Sequence, residues 1–210
     1  MAEKMKKTFY IVDDHEMLRE GTKGWFVSHS DWSCVGDAAN HEAAYSDFER
    51  MAKKDSLPFI LICDLNFFGE NTGFDFMKKI HDLYPDVKII VYSMFFAGGM
   101  VQNAIKNGAS GYVSKNASCD DLLKCMEKSF SGEDFIQEEL QPNLIKYSKL
   151  TDALTRRERE VMELILQRHS NDEIANILNI KKRAVENYIS LIYEKTGVND
   201  RAELVVRYGG

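Results

Sequence analysis

Two short stretches of this chain, FILIC at 59–63 and KIIVY at 88–92, are apolar at consecutive positions rather than at alternate ones. A strand with one wet face alternates, whereas a strand covered on both faces has no need to, so these runs belong inside a parallel sheet flanked by helices. That requirement organises the N-terminal two thirds. TFYIVDD, SCVGDAA, PFILICD, VKIIVYS and GYVSK read as five strands, separated by amphipathic stretches near 15–29, 40–53, 73–83, 97–107 and 118–131. Repeated βα units of this length make an α/β domain with a doubly wound five-stranded parallel sheet. The site of such a sheet lies beyond the carboxyl ends of its strands.

Past residue 132 the pattern changes. GEDFIQEELQPNLIKYSK has weak periodicity and a proline at 142, and reads as a linker over 133–149. From 150 to 210 there is no strand-like run, and four short helices are expected at about 155–167, 171–178, 182–195 and 200–207. Thr155 with Glu158, and Ser170 with Glu173, have the spacing of capping boxes that open two of them. The expected organisation is a domain over 1–132, a linker, and a small all-α domain over 150–210.

Charge is divided unevenly between these parts. Residues 1–140 carry 15 Lys/Arg against 23 Asp/Glu, a net −8, while residues 150–210 carry ten of each sign. The first part is therefore unsuited to nucleic acid, and the last suits it only where its cations gather on one face. No apolar run approaches the roughly 20 residues that span a bilayer, and MAEKMKKTFY leads into no secretory apolar segment, so a cytoplasmic protein without a membrane partner is expected. The four cysteines show no C-x-x-C spacing, which points to neither a disulfide framework nor a zinc site.

The strand ends carry the chemistry. Strand one delivers Asp13 and Asp14, strand three Asp64, strand four Ser93 and strand five Lys115. Any one of these has an ordinary explanation as a cap, a turn or a solvated charge. One fold, however, brings all five to the same rim. Three crowded carboxylates repel one another unless a cation sits among them. Hard oxygen ligands with room for water and phosphate oxygens suit Mg²⁺. A lysine and a hydroxyl opposite would hold the remaining oxygens of a phosphoryl group.

With those residues in place, 8–132 resembles the receiver domain of two-component response regulators, and IVDDHEMLREG is similar to the opening of the subfamily that ends in a LuxR-type DNA-binding domain. The resemblance implies a flavodoxin-like fold. It implies that Asp64 accepts phosphate from a histidine kinase, and that Asp13, Asp14 and the backbone carbonyl of Asn66 join Asp64 in holding Mg²⁺. It further implies that Lys115 pairs with the phosphoryl group, that Ser93 turns its hydroxyl to it, and that Tyr112 is the switch aromatic. The loop DLNFFGENTG departs from the family by lacking Met-Pro and by placing Gly73 nine residues after Asp64. Glu16 and Asn116 stand where prolines are frequent. Phe95, two residues past Ser93, is expected to shield the acyl phosphate from water and lengthen its life.

LTRREREV and SNDEIA resemble the LuxR-type helix-turn-helix, which implies binding to promoter DNA. On the helix at 182–195, Val185, Tyr188, Ile189, Ile192 and Thr196 share the inward face, leaving Glu186, Asn187, Ser190, Leu191 and Glu194 outward. Glu186 suits a cytosine amino group and Asn187 suits adenine, with Ser190 beside them. Lys181, Lys182, Arg183 and Lys195, with Arg156, Arg157 and Arg201, are the candidates for phosphate contacts. The expectation is a transcription regulator, not an enzyme, that dimerises when phosphorylated, with Leu204, Val205 and Val206 available for apolar contact. Because the outward face is acidic and partly apolar, a receiver with a protein-binding output is the alternative. A Mg²⁺-dependent phosphohydrolase is a third reading, but it wants a second acid two residues past the nucleophile, where this chain has Asn66.

Overall fold

The computed structural model describes residues 6–65 and 73–209. Two compact units emerge, one formed by the residues up to Met94 with Asn103–Gln137, the other by Glu138–Gly210 with Phe95–Gln102.

Along the N-terminal part of the chain, β1 (Thr8–Val12), β2 (Ser33–Ala38), β3 (Ile60–Cys63), β4 (Lys88–Ser93) and β5 (Ala109–Ser114) alternate with α1 (Glu16–His29), α2 (His41–Ala52), α3 (Gly73–Leu83), α4 (Gly98–Lys106) and α5 (Cys119–Phe130), all in the first unit except the opening residues of α4. All neighbouring strands are parallel, in the order β2-β1-β3-β4-β5, with a sixth strand beyond β5. The non-alternating run is covered on both faces as its composition requires: Ile60, Leu61, Ile62 and Cys63 are each no more than 1% exposed. Ile60 and Ile62 join Phe9, Ile11, Ile90 and Val113 in one layer with Phe26 of α1 and Leu122, Cys125 and Met126 of α5. Leu61 and Cys63, pointing the other way along the pleat, fill the opposite layer.

The sheet has one strand more than the sequence predicts. β6 is Phe135–Ile136, paired parallel to β5. Two residues are too few to display a period, and the strand is secured by its neighbour Gln137, whose buried side-chain oxygen accepts from the Ser114 amide at 2.8 Å. The span expected as a linker also contains most of a helix, α6 (Gln141–Ala153). Pro142 lies in its first turn, where a missing N–H costs nothing, so the residue read as a breaker is a helix start.

Within the second unit, α6 is followed by α7 (Arg156–Leu166), α8 (Asn171–Leu178), α9 (Lys182–Thr196) and α10 (Arg201–Tyr208). Thr155 and Ser170 form both halves of their capping boxes, and Asp200 caps α10. Lys181 occupies the N-cap of α9 without a side-chain bond. α8 turns into α9 through Asn179, left-handed at φ 51°, and α9 ends on Gly197 at φ 67°. Tyr147, Val161, Met162, Ile165, Ile174, Val185, Ile192 and Leu204 form the core. Phe96 is held here too, its carbonyl accepting from Asn143 at 3.2 Å.

Candidate functional site

The strand order changes direction between β1 and β3, and that is where the acidic residues fall. Val12 pairs with Cys63, so Asp13 and Asp64 are the next residues on adjacent strands. Their backbones continue the ladder one step: the Asp64 amide donates to Val12 at 2.9 Å, and that of Asp13 to Ala38 at 3.1 Å. On the other side Ser93 pairs with Ser114, and the Lys115 amide donates to Ser93 at 2.9 Å. The sheet therefore delivers Asp13, Asp64, Ser93 and Lys115 to one rim, as in other doubly wound folds.

There the Lys115 ammonium lies 2.7 Å from an Asp13 oxygen and 2.6 Å from an Asp64 oxygen, with all three side chains at most 4% exposed. Burial alone would depress the lysine, but hydrogen bonds to the two carboxylates and their charge hold it above its ordinary value. It stays a cation, and it offsets one of the pair's two negative charges. The second oxygen of Asp64 accepts from the Leu65 amide at 2.7 Å. Gly73 closes over Leu65 so tightly that a Cβ would fall 2.6 Å from the Leu65 Cα, which explains a glycine at the start of α3. Asn66 lies outside the described residues.

Ser93 and Tyr112 are both fully buried and side by side, hydroxyl to phenol. Burial, with the charge on Asp64, pushes the phenol well above its ordinary value, so it remains protonated. The aromatic thus already faces inward beside the serine.

Three residues of this rim escape a reading of strand ends. His15 places Nδ1 at 3.1 Å from Asp13 and 2.6 Å from Asp14, so that Asp13, Asp14, His15 and Asp64 offer ligand atoms all within 4.8 Å of one another. Arg19 donates from Nη1 to the Asp13 carbonyl at 2.6 Å and from Nε to Asp37 at 2.9 Å, fixing the backbone that carries the acid. His41, following β2, is half-buried beside the Asp64 backbone and stacks on Phe76 of α3 with ring centroids 4.7 Å apart. The signal for His41 was available: strand two also ends at this rim.

The helical unit presents a second surface. Arg183, Glu186, Asn187, Ser190, Leu191 and Glu194 are exposed on α9, while Val185, Ile192 and Thr196 are buried. The expected cations are not equally placed. Lys195 is drawn inward, 2.7 Å from the buried Glu158, and Lys182 pairs with Asp172 at 2.9 Å. The Lys195 bond holds the Glu158 carboxyl below its ordinary value despite burial, assisted by the Thr155 amide. Arg156 and Arg157 both pair with Glu160. Arg201 donates to Asn171 and to the His169 carbonyl. Among the described residues, Lys181 and Arg183 make no ion pair.

Residues 9–127 match the response regulator receiver domain, and residues 152–208 match the luxR family of bacterial regulatory proteins. This chain belongs to the response regulators. The regulator is 31% identical to the transcriptional regulatory protein DegU of Brevibacillus brevis, over 93% of this chain and 90% of that protein. It is 30% identical to the nitrate/nitrite response regulator protein NarL of Escherichia coli K12, covering 98% and 96%. Among solved structures it shares its fold with RcsB of Salmonella enterica serovar Typhimurium bound to promoter P1flhDC in the presence of a beryllofluoride phosphomimetic, at TM-score 0.71 and 23% identity over 97% and 98% of the chains. A receiver is joined to a LuxR-type DNA-binding domain, and the regulator acts in transcription regulation. The described residues include no helix long and apolar enough to cross a membrane.

Proposed function

We propose that Asp64 is the phosphoacceptor of this regulator and that its acyl phosphate controls promoter binding by the C-terminal domain. The supporting observation is the lysine shared by Asp13 and Asp64 at 2.7 and 2.6 Å. A cation already seated between the two carboxylates is placed to follow negative charge onto a phosphoryl group. In the transfer, an Asp64 oxygen forms a bond to phosphorus, the donor's bond to phosphorus breaks, and its electron pair leaves with the donor. The donor in a cell is a histidine kinase. Lys115 and the Ser93 hydroxyl then hold the new phosphoryl oxygens, and Tyr112 keeps Ser93 oriented from behind.

The donor set fits a divalent cation, since three carboxylates converge and all their ligand atoms lie within 4.8 Å. Asp13, Asp14 and Asp64, with the Asn66 carbonyl, would hold Mg²⁺, which when bound offsets the charge of the incoming phosphate. Residues 1–132 form the receiver and 150–210 the DNA-binding domain, joined through 133–149, in a cytoplasmic chain that dimerises when phosphorylated. On DNA, Glu186, Asn187 and Ser190 face the bases, while Lys181, Lys182 and Arg183 take phosphates. Phe95 shields the acyl phosphate from water.

The test is labelling with acetyl phosphate and MgCl₂ followed by intact-mass analysis. The native chain gains one phosphoryl group and Asp64→Ala none. Equal labelling of both would remove Asp64 from the role.

A further inference from the structure

Glu186, Asn187, Ser190 and Leu191 share the exposed face in the middle of α9, with Glu194 in the next turn. They differ in what they can offer a base edge. Glu186 accepts, and Asn187 both donates and accepts. The Ser190 hydroxyl donates back to the Glu186 carbonyl at 3.1 Å, so its single hydrogen is used within the helix. Leu191 can do neither, yet it is 42% exposed while its neighbour Ile192 is fully buried.

Elsewhere a lone exposed leucine needs no explanation, but a duplex seated on Asn187 would cover this one. Asn187 and Leu191 are four residues apart, so their side chains stand one above the other, separated along the axis by about 6 Å. Base pairs follow one another every 3.4 Å or so, roughly half that rise, which sets the leucine over a pair one or two steps from the one Asn187 meets. Glu186 and Glu194 stand exposed on the same face and repel phosphates, so this face meets the floor of the groove and not its ridges. The apolar group that a base displays on that floor is the C5-methyl of thymine.

We propose that Leu191 is a specificity-determining residue that reads thymine: its side chain packs on the C5-methyl of a thymine one or two base pairs from the adenine that Asn187 holds. This rests on α9 being the helix that faces the bases. The contact removes apolar surface from water on both sides and involves no charge. It therefore adds to sequence preference without adding to salt dependence, the reverse of what Lys181 and Arg183 supply.

The experiment uses the full chain, treated with acetyl phosphate and MgCl₂, and a duplex that it enriches from random sequence. Each thymine of that duplex is replaced in turn by deoxyuridine, which deletes the methyl and nothing else, and affinity is measured across a range of salt concentrations. For the native chain we expect a thymine at which the replacement weakens binding about fourfold, with the salt slope unchanged. Leu191→Ala should bind the thymine duplex about fourfold more weakly and no longer respond to that replacement. Leu191→Met, which keeps an apolar side chain of similar reach, should respond as the native chain does. A native chain with no sensitive thymine, or the same deoxyuridine profile in Leu191→Ala, would overturn the proposal. So would native affinity in Leu191→Ala, the result expected of a leucine kept for a protein partner. A native chain that enriches no sequence in either phosphorylation state would instead overturn promoter binding through α9, so the two failures are distinguishable.

Discussion

The acceptor rim and the exposed face of α9 handle charge in opposite ways. At the rim, a lysine and two carboxylates are gathered at most 4% exposed, the one ammonium shared by both acids. On the helical unit the cations are more exposed, and four of the seven expected to meet DNA are paired with acids of the same domain. Buried charges must be paired or they are costly, so the fold dictates their partners; exposed charges gain little from pairing and choose partners loosely. The first arrangement is read from strand ends, the second only from coordinates.

The largest effect expected is at Lys115. Replacing it by alanine leaves Asp13 and Asp64 facing one another without a cation, which costs about 3 kcal/mol of stability. Urea unfolding in the presence of EDTA should show that loss, and MgCl₂ should recover a good part of it. A variant as stable as native in EDTA would mean that the rim is wetter than its burial indicates, and the contrast with α9 would collapse.

The next effect divides the helical unit itself. Lys195→Ala strands the buried Glu158 and should cost about 1–2 kcal/mol, whereas Lys182→Ala, opposite the exposed Asp172, should stay within about 0.5 kcal/mol. The pH dependence follows in sign. Glu158 lies below its ordinary 4.5 when folded, so the stability it lends is complete above that pH and is lost as pH falls through the folded value. Acid unfolding of Glu158→Gln should therefore lack the steepening below about 4.5 that the native helical unit shows. Equal losses for the two lysine variants would show that burial is not what separates them.

The smallest effect tests a residue with two uses. Lys181 caps α9 without a side-chain bond. Lys181→Ser should gain about 1 kcal/mol in unfolding while lowering the salt slope of promoter binding by about one. Arg183→Ala should lower that slope similarly, and Lys195→Ala should leave it unchanged.

Legibility in the sequence followed the same division. The parallel sheet, the five βα units and the rim residues could be read because an apolar run of consecutive residues admits few structures and because each strand end is a marked position. β6 could not be read, since two residues carry no period and its anchor is the Gln137 side chain. α6 was hidden by Pro142, which ends helices and also begins them. Arg19 was missed because it works through the Asp13 backbone carbonyl, and a carbonyl leaves no mark on residue identity. The fate of Lys195 depends on Glu158, 37 residues earlier, a pairing that no local pattern reveals.

The clasp between Lys195 and Glu158 ties the last turn of α9 to the opening of α7, with Gly197 ending the helix just beyond. The helix proposed to read DNA is thus fastened at its last turn when the chain folds, and part of the freedom that ordering it would cost on an operator is already spent. On the proposed reading, Glu186 and Asn187 are then offered to a duplex from a helix already fastened at its far end, and a mismatched base loses a contact that the helix cannot shift to recover.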